Sequence, residues 1–145
     1  MCSVLQLAYA VVQDLQDHTP LISQELPGQQ SVLVVEDEPV IRALAMEIVA
    51  EAGFEGVEAQ NADEALSILE SRTDIGVVFT DINMPGSLDG LRLANRIRDR
   101  WPPIEIILTS GKHLPNARDL PTGAVFIPKP YQVFKIAQAL QKFLC

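Results

Sequence analysis

Basic residues are in short supply in this chain. Eleven Lys and Arg face nineteen Asp and Glu, for a formal net charge of −8. Direct nucleic-acid binding is driven by clustered cations that displace counterions from phosphates, and this composition argues against it. Cysteine is nearly absent: Cys2 and Cys145 stand at opposite ends, with no metal-ligand spacing and no disulfide framework. They read as incidental thiols in a reducing compartment. No apolar run is long enough to cross a bilayer. Residues 3–12 are mildly apolar but lack a basic flank and soon meet Asp14 and Asp17, so they do not read as a signal peptide. The expected location is the cytoplasm, without membrane association.

What is present is a chain of 145 residues, 48% hydrophobic and 21% charged, enough for one globular domain with a real core. The first thirty residues are distinct. Val4, Leu7, Val11 and Leu15 share a helical face, Ser3 can cap it, and Pro20 stops it. Gln24 to Gln30, with Pro27-Gly28, reads as a linker. Two units are therefore expected, an extension over 1–30 (helix plus linker) and a domain over 31–145. The extension packs on or frays from the domain; a docking or dimerisation helix is the alternative.

From Ser31 the pattern alternates. Val32 to Val35 is a short apolar strand. Pro39 suits the first position of a helix whose apolar stripe is Ile41, Leu44, Ala45, Ile48 and Ala52, with Gly53 ending it. Gly56 to Ala59 is a weak strand. Asn61 with Glu64 forms a capping-box start for a helix carrying Ala65, Leu66 and Leu69. Ile75 to Thr80 is a third strand, and Leu91, Ala94, Ile97 and Arg98 mark a helix ending near Trp101-Pro102-Pro103. Ile104 to Thr109 is a fourth strand. Lys112 to Pro121, with two prolines, predicts only a short or irregular helix. Ala124 to Ile127 is a fifth strand, followed by a last helix with Val133, Ile136, Ala137 and Leu140. Five short apolar strands separated by helices predict an α/β fold, a parallel sheet covered on both faces.

Ligands of such sheets bind beyond the carboxyl ends of the strands. The first strand delivers Glu36, Asp37 and Glu38 there. The third delivers Asp81, with Asn83 just beyond; the fourth delivers Thr109 and Ser110 before Gly111; the fifth delivers Lys129 between Pro128 and Pro130. Acids crowded at one sheet edge repel one another and call for a cation. Oxygen donors without His or Cys suit Mg²⁺ and exclude a zinc or thiol centre. A metal, a lysine and a hydroxyl around one carboxylate form a clamp for a transferring phosphoryl group, and the carboxylate can itself be the nucleophile.

Four motifs, VLVVEDEP, FTDINMPG, ILTSGK and FIPKPY, resemble the receiver domain of two-component response regulators over about residues 31–144. The resemblance implies a flavodoxin-like, doubly wound sheet of order 2-1-3-4-5. It implies that Asp81 is the phosphoacceptor. Asp37 is then a direct Mg²⁺ ligand, Glu36 an acid holding the metal through water, and the backbone carbonyl of Asn83 a third protein ligand, with Mn²⁺ as a substitute. Ser110, followed by Gly111, matches the hydroxyl that binds a phosphoryl oxygen. Lys129 matches the family lysine, aimed by a cis Lys129–Pro130 bond, and Phe126 the aromatic that follows the hydroxyl. The implied partners are a sensor histidine kinase or phosphotransfer protein and an unknown downstream protein, with a homodimer as an alternative. Signalling occurs without a separate enzymatic substrate; a phosphate sink in a phosphorelay is the other outcome.

Singly, each residue has a bland explanation: the acids cap the helix at Pro39, Ser110 is a turn serine, Lys129 a surface lysine and Phe126 plain core. No single structural need places acids on two strands and a lysine on a third. Glu38 is read as surface or cap, and His18 and His113 as exposed residues outside the strand-end set. Lys112 and Asn83 match positions that tune phosphoryl lifetime. Residues 84–90 form a loop one residue longer than the common pattern, and 112–121 departs from a regular fourth helix. An aspartyl-phosphate phosphatase would need an acid two residues after Asp81, where this chain has Asn83. A flavin or nucleotide binder would need a Gly-rich loop after the first strand, where this chain has acids.

Overall fold

The sheet is built from runs that are apolar on both faces. The computed structural model describes residues 31–84, 86, 88–111 and 115–144. The segment 1–30, including the amphipathic stretch and both Cys2 and His18, lies outside the described residues, as do Lys112, His113 and Cys145. Strand β1 (Ser31–Val35) and strand β3 (Ile75–Asp81) are buried at every position, and β4 (Glu105–Ser110) at all but its first. Strands β2 (Glu55–Ala59) and β5 (Val125–Pro128) form the edges and are correspondingly more exposed. All neighbours are parallel, in the order β2-β1-β3-β4-β5. This is the predicted order.

Alternation along the strands divides the core. Helices α2 (Ala62–Ser71) and α3 (Gly90–Arg100) cover Leu33, Val78, Ile106 and Leu108 on one face. Helices α1 (Pro39–Glu51) and α4 (Val133–Leu144) cover Val34, Phe79, Ile107 and Ile127 on the other. Pro39 opens α1 as expected, and Gly53, at φ +96°, follows its C-cap in the left-handed region that glycine tolerates. At α2 the capping box forms with a displaced return bond. Asn61 Oδ1 accepts from Glu64 N at 2.8 Å, while Glu64 Oε1 accepts from the N–H of Gln60 rather than of Asn61.

Two stripe assignments need correction. Leu44 is 42% exposed and Val133 49% exposed, and Val49 is buried in Leu44's stead. The buried side of α1 centres on Ala45, Ile48 and Val49, which leaves Leu44 at the edge of the stripe, while Val133 is the first residue of α4. Between β4 and β5 the described residues hold only a three-residue 3₁₀ turn, Ala117–Asp119, in keeping with the irregularity that the prolines predict. No helix among the described residues is long and apolar enough to cross a membrane.

The amino edge of the sheet is tied by polar contacts. Ser31 Oγ donates to Asp74 Oδ2 at 2.9 Å, and Arg72 Nε donates to Asp74 Oδ1 at 2.9 Å. Arg72 holds the Asp74 carboxyl down to about 2. A depressed acid contributes stability above its unfolded value of 3.8 and loses it as pH falls toward about 2. Asp74→Asn should therefore lower the urea midpoint near neutral pH, and the difference from the wild type should vanish as both are titrated toward pH 2. A constant difference across the titration would contradict this origin.

Candidate functional site

Strand ends converge on one point. Glu36 follows the last residue of β1 and is 2% exposed, although it is a carboxylate; Asp81 closes β3 at 5% exposure. Lys129 follows β5, and its ammonium lies 3.2 Å from both Glu36 Oε1 and Asp81 Oδ2. The Lys129–Pro130 bond is cis, as expected. The remaining carboxylate oxygens are met by backbone: Glu36 Oε2 accepts from Glu38 N and Asp81 Oδ1 from Asn83 N, each at 3.2 Å. Asn83 Nδ2 donates to Ser110 Oγ at 2.8 Å, joining the loop after β3 to the end of β4. Ser110 pairs with Pro128 and Leu108 with Phe126, so Ser110 and Phe126 stand on the same sheet face, and Phe126 packs half-buried against the core there.

The electrostatics are lopsided. Burial raises the Glu36 carboxyl above its ordinary value; the Glu38 N–H opposes this, and repulsion from Asp81 adds to it. Burial alone would lower the Lys129 ammonium, but the charges of Asp81 and Glu36 outweigh it and hold it above its ordinary value. One cation thus serves two acids, and the more buried acid keeps a net desolvation cost. Ligand-atom positions on Glu36, Asp37 and Asp81 lie within 4.8 Å of one another. This cluster, with Asn83 and Lys129, lines a common cavity of about 610 Å³. Its donors are hard oxygens, and Asp37 is exposed to solvent there. The set fits a small divalent cation that keeps part of its water shell.

All the predicted site residues except Phe126, which backs the site from the core, meet at this edge. Glu38 is exposed and makes no side-chain cap bond, in keeping with a surface role. Three further residues escaped the sequence reading. Gly90 opens α3, and its N–H donates to Ile82 O at 2.9 Å. A Cβ there would collide with the Asp81 carbonyl oxygen, so the absence of a side chain lets α3 press against the backbone of the acidic strand end. Its position next to the N-cap Asp89 was the available signal. Arg42 Nη1 donates to Glu36 O at 2.9 Å and its Nε to Glu58 Oε1 at 2.9 Å, tying β1 to β2; no local pattern announces a pair sixteen residues apart. Tyr131 directly follows the cis bond. Its ring packs 5.5 Å from Phe79 and 5.9 Å from the Lys129 ammonium. Burial, with the charges of Glu36 and Asp81, pushes its phenol well above the ordinary value.

Residues 32–141 match the family described as the response regulator receiver domain. Among curated proteins, the chain is 33% identical over 124 residues to the sensor kinase CckA of Brucella abortus, covering 83% of this chain and 13% of that one. The chain spans less than half the length of the curated relatives it matches first. Among solved structures, the receiver domain of NtrX from Brucella abortus superposes with a TM-score of 0.68 at 34% identity, over 78% of this chain and 97% of that one. A response regulator receiver protein from Pseudomonas putida gives 0.70 at 30%, over 79% and 97%.

The Gly90 contact yields a direct test. Gly90→Ala should destabilise the domain by about 1–3 kcal/mol through overpacking, read as a lower urea midpoint. Gly111→Ala, whose Cβ would meet Lys129 at an ordinary 3.6 Å, should cost less. Equal midpoints for the two variants would contradict the close approach at Gly90.

Proposed function

The chain belongs to the response regulator receiver domain family, and from that premise we propose that Asp81 is the residue on which it accepts a phosphoryl group. The donor is the phosphohistidine of a sensor kinase or phosphotransfer protein; a small acyl phosphate would serve as well. The observation that carries this reading is the position of Asp81. It is a nearly buried carboxylate with one oxygen 3.2 Å from Lys129 Nζ, beside the acids Glu36 and Asp37.

In the transfer, an Asp81 carboxylate oxygen forms the new bond to phosphorus as the donor's P–N bond breaks. The leaving imidazole nitrogen keeps the electron pair, and the product is an aspartyl phosphate. Glu36, Asp37, Asp81 and the backbone carbonyl of Asn83 would hold Mg²⁺, or Mn²⁺ in its place. Such a dication supplies compensation for the negative charge gathering on the phosphoryl oxygens. Lys129 is already at Asp81 and contributes a fixed positive charge from its own side. The Asn83 backbone N–H, bonded to Asp81 Oδ1, orients the carboxylate.

Signalling follows from what the phosphoryl group displaces. Ser110 Oγ is held by Asn83 Nδ2; it is the hydroxyl placed to turn toward a phosphoryl oxygen on Asp81. Phe126 then moves on the same sheet face, and the surface running from β4 to α4 shifts population toward a form that a downstream protein recognises. The chain acts on no separate substrate in this scheme. The phosphatase reading lacks its acid, because Asn83 stands two residues after Asp81.

Incubation with radiolabelled acetyl phosphate and Mg²⁺ should label the wild-type chain, and Asp81→Asn should abolish the label. Asp81→Asn protein labelled to the wild-type level would sink the assignment. Chelation with EDTA should reduce labelling of the wild type to background, with recovery on excess Mg²⁺ or Mn²⁺; labelling that survives chelation would exclude the acidic cluster as the metal's seat.

A further inference from the structure

Lys129 carries its charge on a flexible four-carbon stem, and its side chain is 21% exposed. On the β4 side the stem passes Gly111, which has no side chain to hold it: a Cβ there would come 3.6 Å from Lys129 Cβ and 3.7 Å from Lys129 Cδ. Beyond the two acids, the ammonium has an aromatic contact. It lies over the Tyr131 ring, 5.9 Å from the centroid, within the range of a cation–π attraction. We propose that Tyr131 is a positioning residue, whose ring keeps the Lys129 ammonium against Asp81 during phosphoryl transfer.

The ring is itself held firmly. It packs 5.5 Å from Phe79 at an interplanar angle of 48°, a tilted arrangement of the kind that aromatic pairs prefer. Phe79 is fully buried in the core under α1 and α4, so the ring is fastened to the sheet in a way that the lysine stem is not. The phenol stays neutral, because burial and the charges of Glu36 and Asp81 oppose its ionisation, and it adds no charge to the crowded edge. The ring differs from the acids in one respect. Glu36 and Asp81 would divide their attraction between Lys129 and a bound dication, which would also repel the ammonium. The pull of the ring comes from its quadrupole and does not draw on those carboxylates. Tyr131 therefore holds Lys129 in place when the acids' own hold is weakest. The inference rests on the reading of Asp81 as the phosphoacceptor.

The lysines of the chain are Lys112, Lys129, Lys135 and Lys142, and Lys135 and Lys142 are exposed on α4. Acetylation with an N-hydroxysuccinimide ester, read residue by residue by mass spectrometry, therefore measures how free Lys129 is against references in the same molecule. In the full chain with Mg²⁺, Tyr131→Leu should raise the acetylation rate of Lys129 relative to Lys135 and Lys142 by about two- to fivefold, the factor that an exposed cation–π contact is worth. It should slow labelling from saturating acetyl phosphate by a similar factor. Tyr131→Phe, which keeps the ring, should restore both rates. Tyr131→Met, a flexible apolar filler, serves if the leucine variant does not fold. Wild-type relative acetylation of Lys129 in a folded Tyr131→Leu or Tyr131→Met chain would overturn the proposal, as would a freed Lys129 with labelling unchanged. A wild-type chain that takes no label would overturn the Asp81 reading instead; acetylation needs no phosphoryl group and still decides whether the ring holds Lys129.

Discussion

Lys129 Nζ lies 3.2 Å from Glu36 Oε1 and 3.2 Å from Asp81 Oδ2, and the three side chains come from three different strand ends. Two nearly buried carboxylates so close would repel strongly in a site of low polarity. The lysine makes the arrangement tolerable without neutralising it, since one positive charge faces two negative ones and Asp37 adds a third at the rim. The site therefore retains an affinity for further positive charge. On the proposed reading, that residual imbalance connects the fold to its chemistry, because it would draw a cation, and with it a phosphoryl group, to the strand ends.

Much of the surrounding structure serves to fix those strand ends. The bond from Lys129 N to Ser110 O secures β5 to β4, and that from Ile82 N to Thr109 O secures β3 to β4. Arg42 fastens the Glu36 carbonyl from the β2 side. Gly90 lets the first turn of α3 close over the backbone of Asp81. The acids are thereby placed by backbone and buried contacts rather than by mobile side chains, which is what the proposed displacement at Asp81 would require. The Ser110 hydroxyl differs. Its Oγ accepts from a side chain on a loop, Asn83 Nδ2, and a neutral contact of that kind is more readily exchanged for a charged one.

The strands and their order were legible because each strand is a short apolar run ending in a polar or turn residue, and because four motifs fall at the strand ends in sequence. Glu36, Asp37, Asp81, Ser110 and Lys129 could be placed together for the same reason. What escaped was set by tertiary contact. Leu44 and Val133 satisfy helical periodicity yet face solvent, because periodicity marks a broad apolar side and is silent on which edge of it, or which end of the helix, the core covers. Gly90 was read only as part of a loop; its need to lack a side chain depends on Asp81, nine residues earlier in the chain. Arg42 bridges to Glu58 and to a backbone carbonyl, neither of which leaves a trace in residue type or spacing. Tyr131 stood in a quoted motif, but its place between Phe79 and Lys129 follows from the turn at the cis bond.

The most direct measurement is to identify the modified residue chemically. An aspartyl phosphate is reduced by borohydride to homoserine, so the full chain should be treated with acetyl phosphate and Mg²⁺, reduced, and mapped by peptide mass spectrometry. The account predicts homoserine at position 81, in a yield that falls to background when Mg²⁺ is withheld. Homoserine at Asp37 or Glu36-derived alcohol in place of a product at Asp81, or phosphate retained on His18 or His113, would contradict it.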